Sequence, residues 1–154
     1  MSVSRSDSAS QHPLRVPFRV YWEDTDAGGV VYHARYLAFF ERARTEYLRA
    51  RGIDQMDLKD QHGFVWVVTE MNVKFRKAAR LDDELLVSAD MTWSKGVRQG
   101  FHQEIRQEEN GEVVATAEVT AVMLHADTFK PARMPAWLKE KLGPAVPGSP
   151  RIDK

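Results

Sequence analysis

Between Trp22 and Ala34 the chain reads WEDTDAGGVVYHA, which brings two aspartates, two glycines and a histidine into thirteen residues. The run FRVYW before it alternates like a strand, and ARYLAFFERARTEYLRA after it has the spacing of a helix. A helix start leaves backbone N–H groups unpaired, and the helix dipole adds partial positive charge there. Such an N–H can hold an oxygen that becomes negative during acyl transfer. Asp26 lies seven residues before His33, and Gly28 and Gly29 let the backbone fold its carboxylate towards the helix start. A carbonyl between the two can be polarised from one side and attacked, or hydrated, from the other. Turn formation and helix capping explain the same aspartates without chemistry, Asp24 more readily than Asp26.

Other chemistries find less support. There is no cysteine, which removes disulfides, thiolate nucleophiles and cysteine metal sites. His12, His62, His102 and His125 are scattered, with no pair at metal-ligand spacing, so no metal site is expected. Glu41 lies inside the helical run, where an ion pair is the simpler role. Gly28-Gly29 does not complete a dinucleotide fingerprint, and neither a phosphate loop nor a Gly-x-Ser-x-Gly elbow occurs.

The elements that would position this junction follow from periodicity. Phe18, Val20 and Trp22 alternate with polar neighbours as a first strand. From Tyr32 to Arg51, Tyr36, Phe40, Ala43 and Tyr47 recur at helical steps, Leu37 and Leu48 widen the face, and Arg42 and Glu46 stand four apart as a surface pair. Gly52 closes the helix. Phe39 makes it apolar around much of its circumference, so a sheet should wrap it. After a polar connection, strands are expected at Phe64–Phe75, Leu85–Trp93, Val97–Glu108 and Val113–Leu124. They are separated by turns at Ser94-Lys95-Gly96 and at Asn110-Gly111, where a tight turn with positive φ is favoured. A short helix, Ala136–Leu142, follows Pro135. The class is α+β, an antiparallel sheet with one dominant helix. Residues 1–16 and 143–154 read as flexible tails around one domain at 17–142. Spare apolar strand faces point to association into oligomers.

Composition sets bounds. The 154 residues suit one domain. Basic and acidic residues balance at 22 each, which weakens nucleic-acid and anionic-membrane partners. No apolar run reaches the ~20 residues of a membrane span. The polar N-terminus lacks the apolar core of a secretory signal, so a cytoplasmic location is expected.

The run YWEDTDAGGVVYHARYLAFFERARTEYL, together with FVWVVTEMNVKFRKAARLDDELLV, resembles the hotdog-fold 4-hydroxybenzoyl-CoA thioesterase family, in particular its YbgC-type, Tol–Pal-associated acyl-CoA thioesterases. The resemblance covers roughly residues 17–135. It implies a hotdog fold, a sheet wrapped around one long helix. It implies acyl-CoA hydrolysis, with short-chain aliphatic substrates, in which Asp26 is the catalytic carboxylate and the His33 backbone N–H the oxyanion donor. The family's Asp-x-x-Gly-(Val/Ile)-Val segment is matched by Asp26, Gly29, Val30 and Val31. Gly29, Val30 and Tyr36 would line the substrate, and Lys95 and Arg98 would meet the CoA phosphates, with Arg76 and Lys77 as weaker candidates. Aromatic-acyl relatives carry an aromatic residue where this chain has His33. CoA enters as part of the substrate and no separate cofactor is implied. The acyl donor is CoA or an acyl-carrier protein, and a homodimer or homotetramer is expected. The rivals are a hotdog dehydratase, whose His-x-x-x-x-Pro segment is missing, and a non-catalytic acyl-carrier or envelope-assembly partner.

Overall fold

The computed structural model describes residues 14–146. Most of both expected tails lies outside them, but Arg15 and Val16 already belong to the first strand, and Val146 N–H donates to Met91 O at 2.9 Å. The domain is therefore slightly longer at each end than 17–142. In chain order the elements are β1 (Arg15–Arg19), a 3-10 turn (Trp22–Asp24), α1 (His33–Ala50), α2 (Gln55–His62), β2 (Phe64–Phe75), β3 (Glu84–Ser88), β4 (Asp90–Lys95), β5 (Arg98–Gln107), β6 (Val113–His125) and α3 (Ala136–Leu142).

The strands form one antiparallel sheet in the order β1-β3-β5-β6-β2. β5 serves two neighbours along one side: β4 pairs with Arg98–His102 and β3 with Ile105–Gln107. The expected single strand Leu85–Trp93 is thus two strands parted at Ala89, because the chain must pass from one half of β5 to the other. The first strand also stops earlier than expected. Its partner β3 ends at Glu84, opposite Arg19, and after Val20 the chain folds into the 3-10 turn, leaving Trp22 78% exposed. The Asn110-Gly111 hairpin is present, but as a longer loop in which only Gly111 takes positive φ, at 75°.

The sheet curls around α1. Tyr36, Phe39, Phe40, Ala43, Tyr47 and Leu48 are buried, and Phe18 of β1 stacks on Phe39 with centroids 5.4 Å apart. Glu46 pairs with Arg49 rather than with Arg42, whose guanidinium lies 5.6 Å over the Phe18 ring. The helix α2 stands where a polar connection was expected. It is nearly all polar, with only Leu58 buried, so it has no apolar period to reveal it. Its signals are local: the Asp54 side chain caps Met56 and Asp57 N–H, and Gly63 ends it at φ 77°.

On the sheet face turned away from α1, Gly100 faces Trp93 across the β4–β5 pair. A Cβ on Gly100 would stand 1.8 Å from the Trp93 indole nitrogen. Gly100→Ala should therefore push the ring off its strand and cost about 1–3 kcal/mol by urea denaturation, the usual range for overpacking. In a Trp93→Ala background the same change should cost much less, and equal costs in the two backgrounds would disprove the contact as the cause.

Candidate active site

The strand–helix junction is a tight hairpin. Thr25 and Val31 bridge, Asp26 N–H donates to Val30 O at 2.9 Å, and Gly29 N–H donates to Asp26 O at 3.0 Å. Gly29 sits at φ 83°, a left-handed conformation that side chains resist. The hairpin is tied to the segment before β3 by Val31 N–H to Ala79 O, 2.8 Å, and by a bridge between Val30 and Arg80.

The two aspartates have separate surroundings. Asp24 is 4% exposed. Its carboxylate accepts from Arg35 Nη2 at 2.7 Å and Nε at 2.9 Å, and from Tyr21 N–H at 2.8 Å. It is committed to structure. Asp26 is exposed, and its Oδ1 accepts only the Gly28 N–H at 2.8 Å. The other oxygen is without a partner among the described residues and is free to take a proton or attack a carbon.

His33 is the first residue of α1. Tyr32 before it supplies no side-chain cap, and the first turn carries no acidic residue. No acceptor among the described residues takes the His33 N–H. The helix start is thus left open towards solvent. The exposed His33 ring packs on Tyr32, with centroids 4.6 Å apart, and edge-on to Phe75 at 6.4 Å. Phe75, at the end of β2, is 52% exposed.

Of the remaining candidates, Gly29 and half-buried Val30 belong to the hairpin itself. Tyr36 is 4% exposed and sits behind the His33–Phe75 wall, its hydroxyl accepting Ala79 N–H at 3.1 Å. Burial pushes its pKa up, and the residue braces the site rather than opening onto it. Lys95 and Arg98 are not brought to Asp26 within one chain. Arg98 pairs with Val122 of β6 whereas Phe75 pairs with Ala115, seven residues away, or about 24 Å along the strand. Arg76 and Lys77 directly follow Phe75 and lie nearer, but Lys77 is engaged by Glu112.

One feature not anticipated from the sequence lies along α1. A cleft of about 450 Å³ runs beside α1, lined by Leu37, Arg44, Leu48, Trp66, Met71 and Phe101 among others. Its residues come from two helices and three strands, so no local motif announces it.

The strongly displaced titrations lie elsewhere. His102 on β5 and Glu118 on β6 face away from α1, with His102 Nδ1 2.5 Å from Glu118 Oε2 and Nε2 3.4 Å from Glu104 Oε2. Hydrogen bonding to Glu104, against the opposing effect of burial and with help from Glu118, raises His102 from 6.5 to about 9. The same bond, with Arg106 adding to it, lowers Glu104 from 4.5 to about 2. The raised His102 stabilises the fold fully below pH 6.5, and that contribution is lost as pH rises through about 9. The lowered Glu104 contributes fully above pH 4.5 and is lost as pH falls through about 2. Stability from this cluster should therefore be greatest between these limits. Urea denaturation of His102→Gln across pH 6 to 10 should show a flatter decline than the unchanged protein; an equally steep decline would refute the assignment.

Comparisons with known proteins identify the family. Residues 20–142 match the family model described as the thioesterase-like superfamily. The chain is 42% identical over 123 residues to the acyl-CoA thioesterase YbgC of Haemophilus influenzae, covering 80% of this chain and 89% of that protein. It is 33% identical to the long-chain acyl-CoA thioesterase FadM of Escherichia coli K12, over 73% of this chain and 83% of that one. Among solved structures, a probable thioesterase from Bartonella henselae is 35% identical with a TM-score of 0.74, covering 80% of this chain and all of that one. The antiparallel sheet around α1 is the hotdog fold of these thioesterases.

Proposed function

The chain belongs to the thioesterase-like superfamily, as a YbgC-type member, and on that basis we propose that it hydrolyses the thioester of an aliphatic acyl-CoA to free acid and CoA. The observation that carries the assignment is the open start of α1, with an unpaired His33 N–H, beside a hairpin that holds Asp26 exposed with one oxygen free. The thioester carbonyl oxygen accepts from the His33 N–H, which becomes a stronger partner as negative charge develops on that oxygen. Asp26 either draws a proton from water, whose oxygen then attacks the carbonyl carbon, or attacks it directly to form a mixed anhydride that water opens. Either route expels CoA as the thiolate and needs no metal or redox group. A cytoplasmic location and a link to envelope assembly belong to the same proposal and rest on the family resemblance of the sequence. An acyl-carrier protein remains the alternative acyl donor.

Asp26→Asn removes the anionic oxygen at nearly constant size. It should lower hydrolysis by ~100-fold or more, measured as thiol release from a panel of acyl-CoAs. Asp24→Asn should instead lower stability and affect turnover less. His33→Ala keeps the backbone donor and should lose only about tenfold, a smaller share of the acid–base range. Full turnover by folded Asp26→Asn protein would sink the mechanism. An equally deep loss in His33→Ala would bring the imidazole into it.

A homodimer, or a dimer of dimers, fits the same arrangement. β2 is an edge strand of twelve residues, with Val68 and Phe75 exposed on it. Long unpaired edges invite a second copy. Lys95 and Arg98, remote from Asp26 in their own chain, could meet the CoA phosphates only at a site built with a partner. Light scattering at micromolar concentration should report a dimer or tetramer, and an active monomer would contradict it.

A further inference from the structure

The cleft beside α1 begins at Leu37, one helical turn from His33. His33, Leu37, Glu41, Arg44 and Leu48 follow one another at steps of four, four, three and four, the spacing of a single ridge along a helix. His33 heads that ridge, and its next four members all line the cleft. An acyl chain whose carbonyl rests at the His33 N–H and that follows this ridge enters the cleft one turn on, between the helix and the inner faces of β2, β6 and β5. Most of the lining is apolar: Leu37, Leu48, Trp66, Met71 and Phe101.

Arg44 does not suit a purely hydrocarbon tail. It is half-buried, and its one hydrogen bond among the described residues is from Nη1 to the neutral side-chain oxygen of Gln103, at 2.9 Å. Gln103 is itself fully buried and fixed in place, its amide donating to Phe40 O at 2.9 Å and Ser88 O at 3.1 Å. The guanidinium is thus held in position by a rigid partner that supplies no charge. Glu41 lies one turn closer to the helix start, exposed, and makes no ion pair with it. Burial pushes the Arg44 pKa below its ordinary value, with Glu41 acting the other way, but an arginine stays charged. A positioned guanidinium with spare donors is suited to a carboxylate, which it can bind through two parallel hydrogen bonds.

Resting on the thioesterase assignment, we propose that the cleft takes acyl groups that carry a carboxylate at their far end, with Arg44 as the specificity-determining residue. Arg44 stands eleven positions after His33, about 16 Å along the axis, and helical side chains lean back towards the N-terminus. The distance suits a chain of about eight to ten carbons, longer than the short aliphatic chain expected from the sequence.

Two measurements test this. Calorimetry with free decanedioic and decanoic acids reads the cleft without turnover, and kcat/KM for the CoA thioesters of the same acids reads it in catalysis. The unchanged protein should favour the carboxyl-ended member of each pair by about tenfold or more, and Arg44→Met should abolish that preference while leaving decanoyl-CoA turnover within about threefold. Arg44→Lys, which keeps the charge but not the fork, should fall between. Hydrolysis with no preference between the two thioesters overturns the inference and leaves the thioesterase assignment intact. Preferential binding of the diacid, with no acyl-CoA hydrolysed, supports the anion site and defeats the thioesterase assignment. Equal loss of both substrates in Arg44→Met overturns the inference, whether assembly is unchanged, making Arg44 a support for Gln103, or altered, making it a contact with a second copy.

Discussion

The buried carboxylate of Asp24 holds the junction on which the site depends. Its oxygens take two bonds from Arg35, on α1, and one from Tyr21, at the entrance to the 3-10 turn. Its backbone carbonyl accepts the Tyr32 N–H at 2.8 Å, on the far side of the hairpin. One residue therefore joins the chain before the hairpin, the chain after it and the helix beyond. A buried carboxylate without partners is strongly unfavourable, so these bonds are obligatory once the residue is enclosed. With both ends tied, the Asp26–Gly29 tip can stay exposed and still keep a fixed position relative to the helix start.

The parts of the fold that were legible in the sequence have their own period. Tyr36, Phe40, Ala43 and Tyr47 announce α1, and the alternation in β2 and β6 announces strands, because burial on one face selects residue type at regular steps. Where tertiary pairing decides, the sequence is silent. Leu85 to Trp93 alternates without a visible break, yet it serves two stretches of β5. The 3-10 turn replaces the end of the first strand because Asp24 finds Arg35, eleven residues on, and no local pattern encodes that meeting. The same division holds at the site. Asp26 and His33 stand out because glycines and a helix start surround them in sequence. The cleft does not, because Trp66, Phe101 and Arg44 converge only after the sheet has curled.

The sheet also separates two kinds of electrostatics. Facing α1, β5 presents Gln99, Phe101, Gln103 and Ile105, all buried, and both glutamines are hydrogen-bonded through their oxygen and their nitrogen. The opposite face carries His102, Glu104 and Arg106 with Glu118 beside them. The displaced titrations of His102 and Glu104 belong to this network of mutual hydrogen bonds, remote from the α1 start. Perturbed titrations often mark catalytic groups, but ion-pair networks perturb them too. A backbone N–H does not titrate, so an oxyanion donor of that kind has to be located by geometry.

An oxyanion donor of this kind carries a structural cost. A helix is normally started by a side chain that accepts one of its free N–H groups, and lacking such a cap costs about 1 kcal/mol. α1 has neither a cap at Tyr32 nor an acid in its first turn. A carboxylate placed there would stabilise the helix, but it would occupy the N–H and oppose the negative charge of the transition state. The chain instead puts its stabilising carboxylate at Asp24, where it grips the third helical residue through the Arg35 side chain and leaves the first N–H open. The catalytic candidate Asp26 is kept on the hairpin, its Oδ1 turned to Gly28 N–H rather than to the helix. Two acids two residues apart thus divide between them the anchoring of the helix and the proposed chemistry, which a single carboxylate at the helix start could not do together.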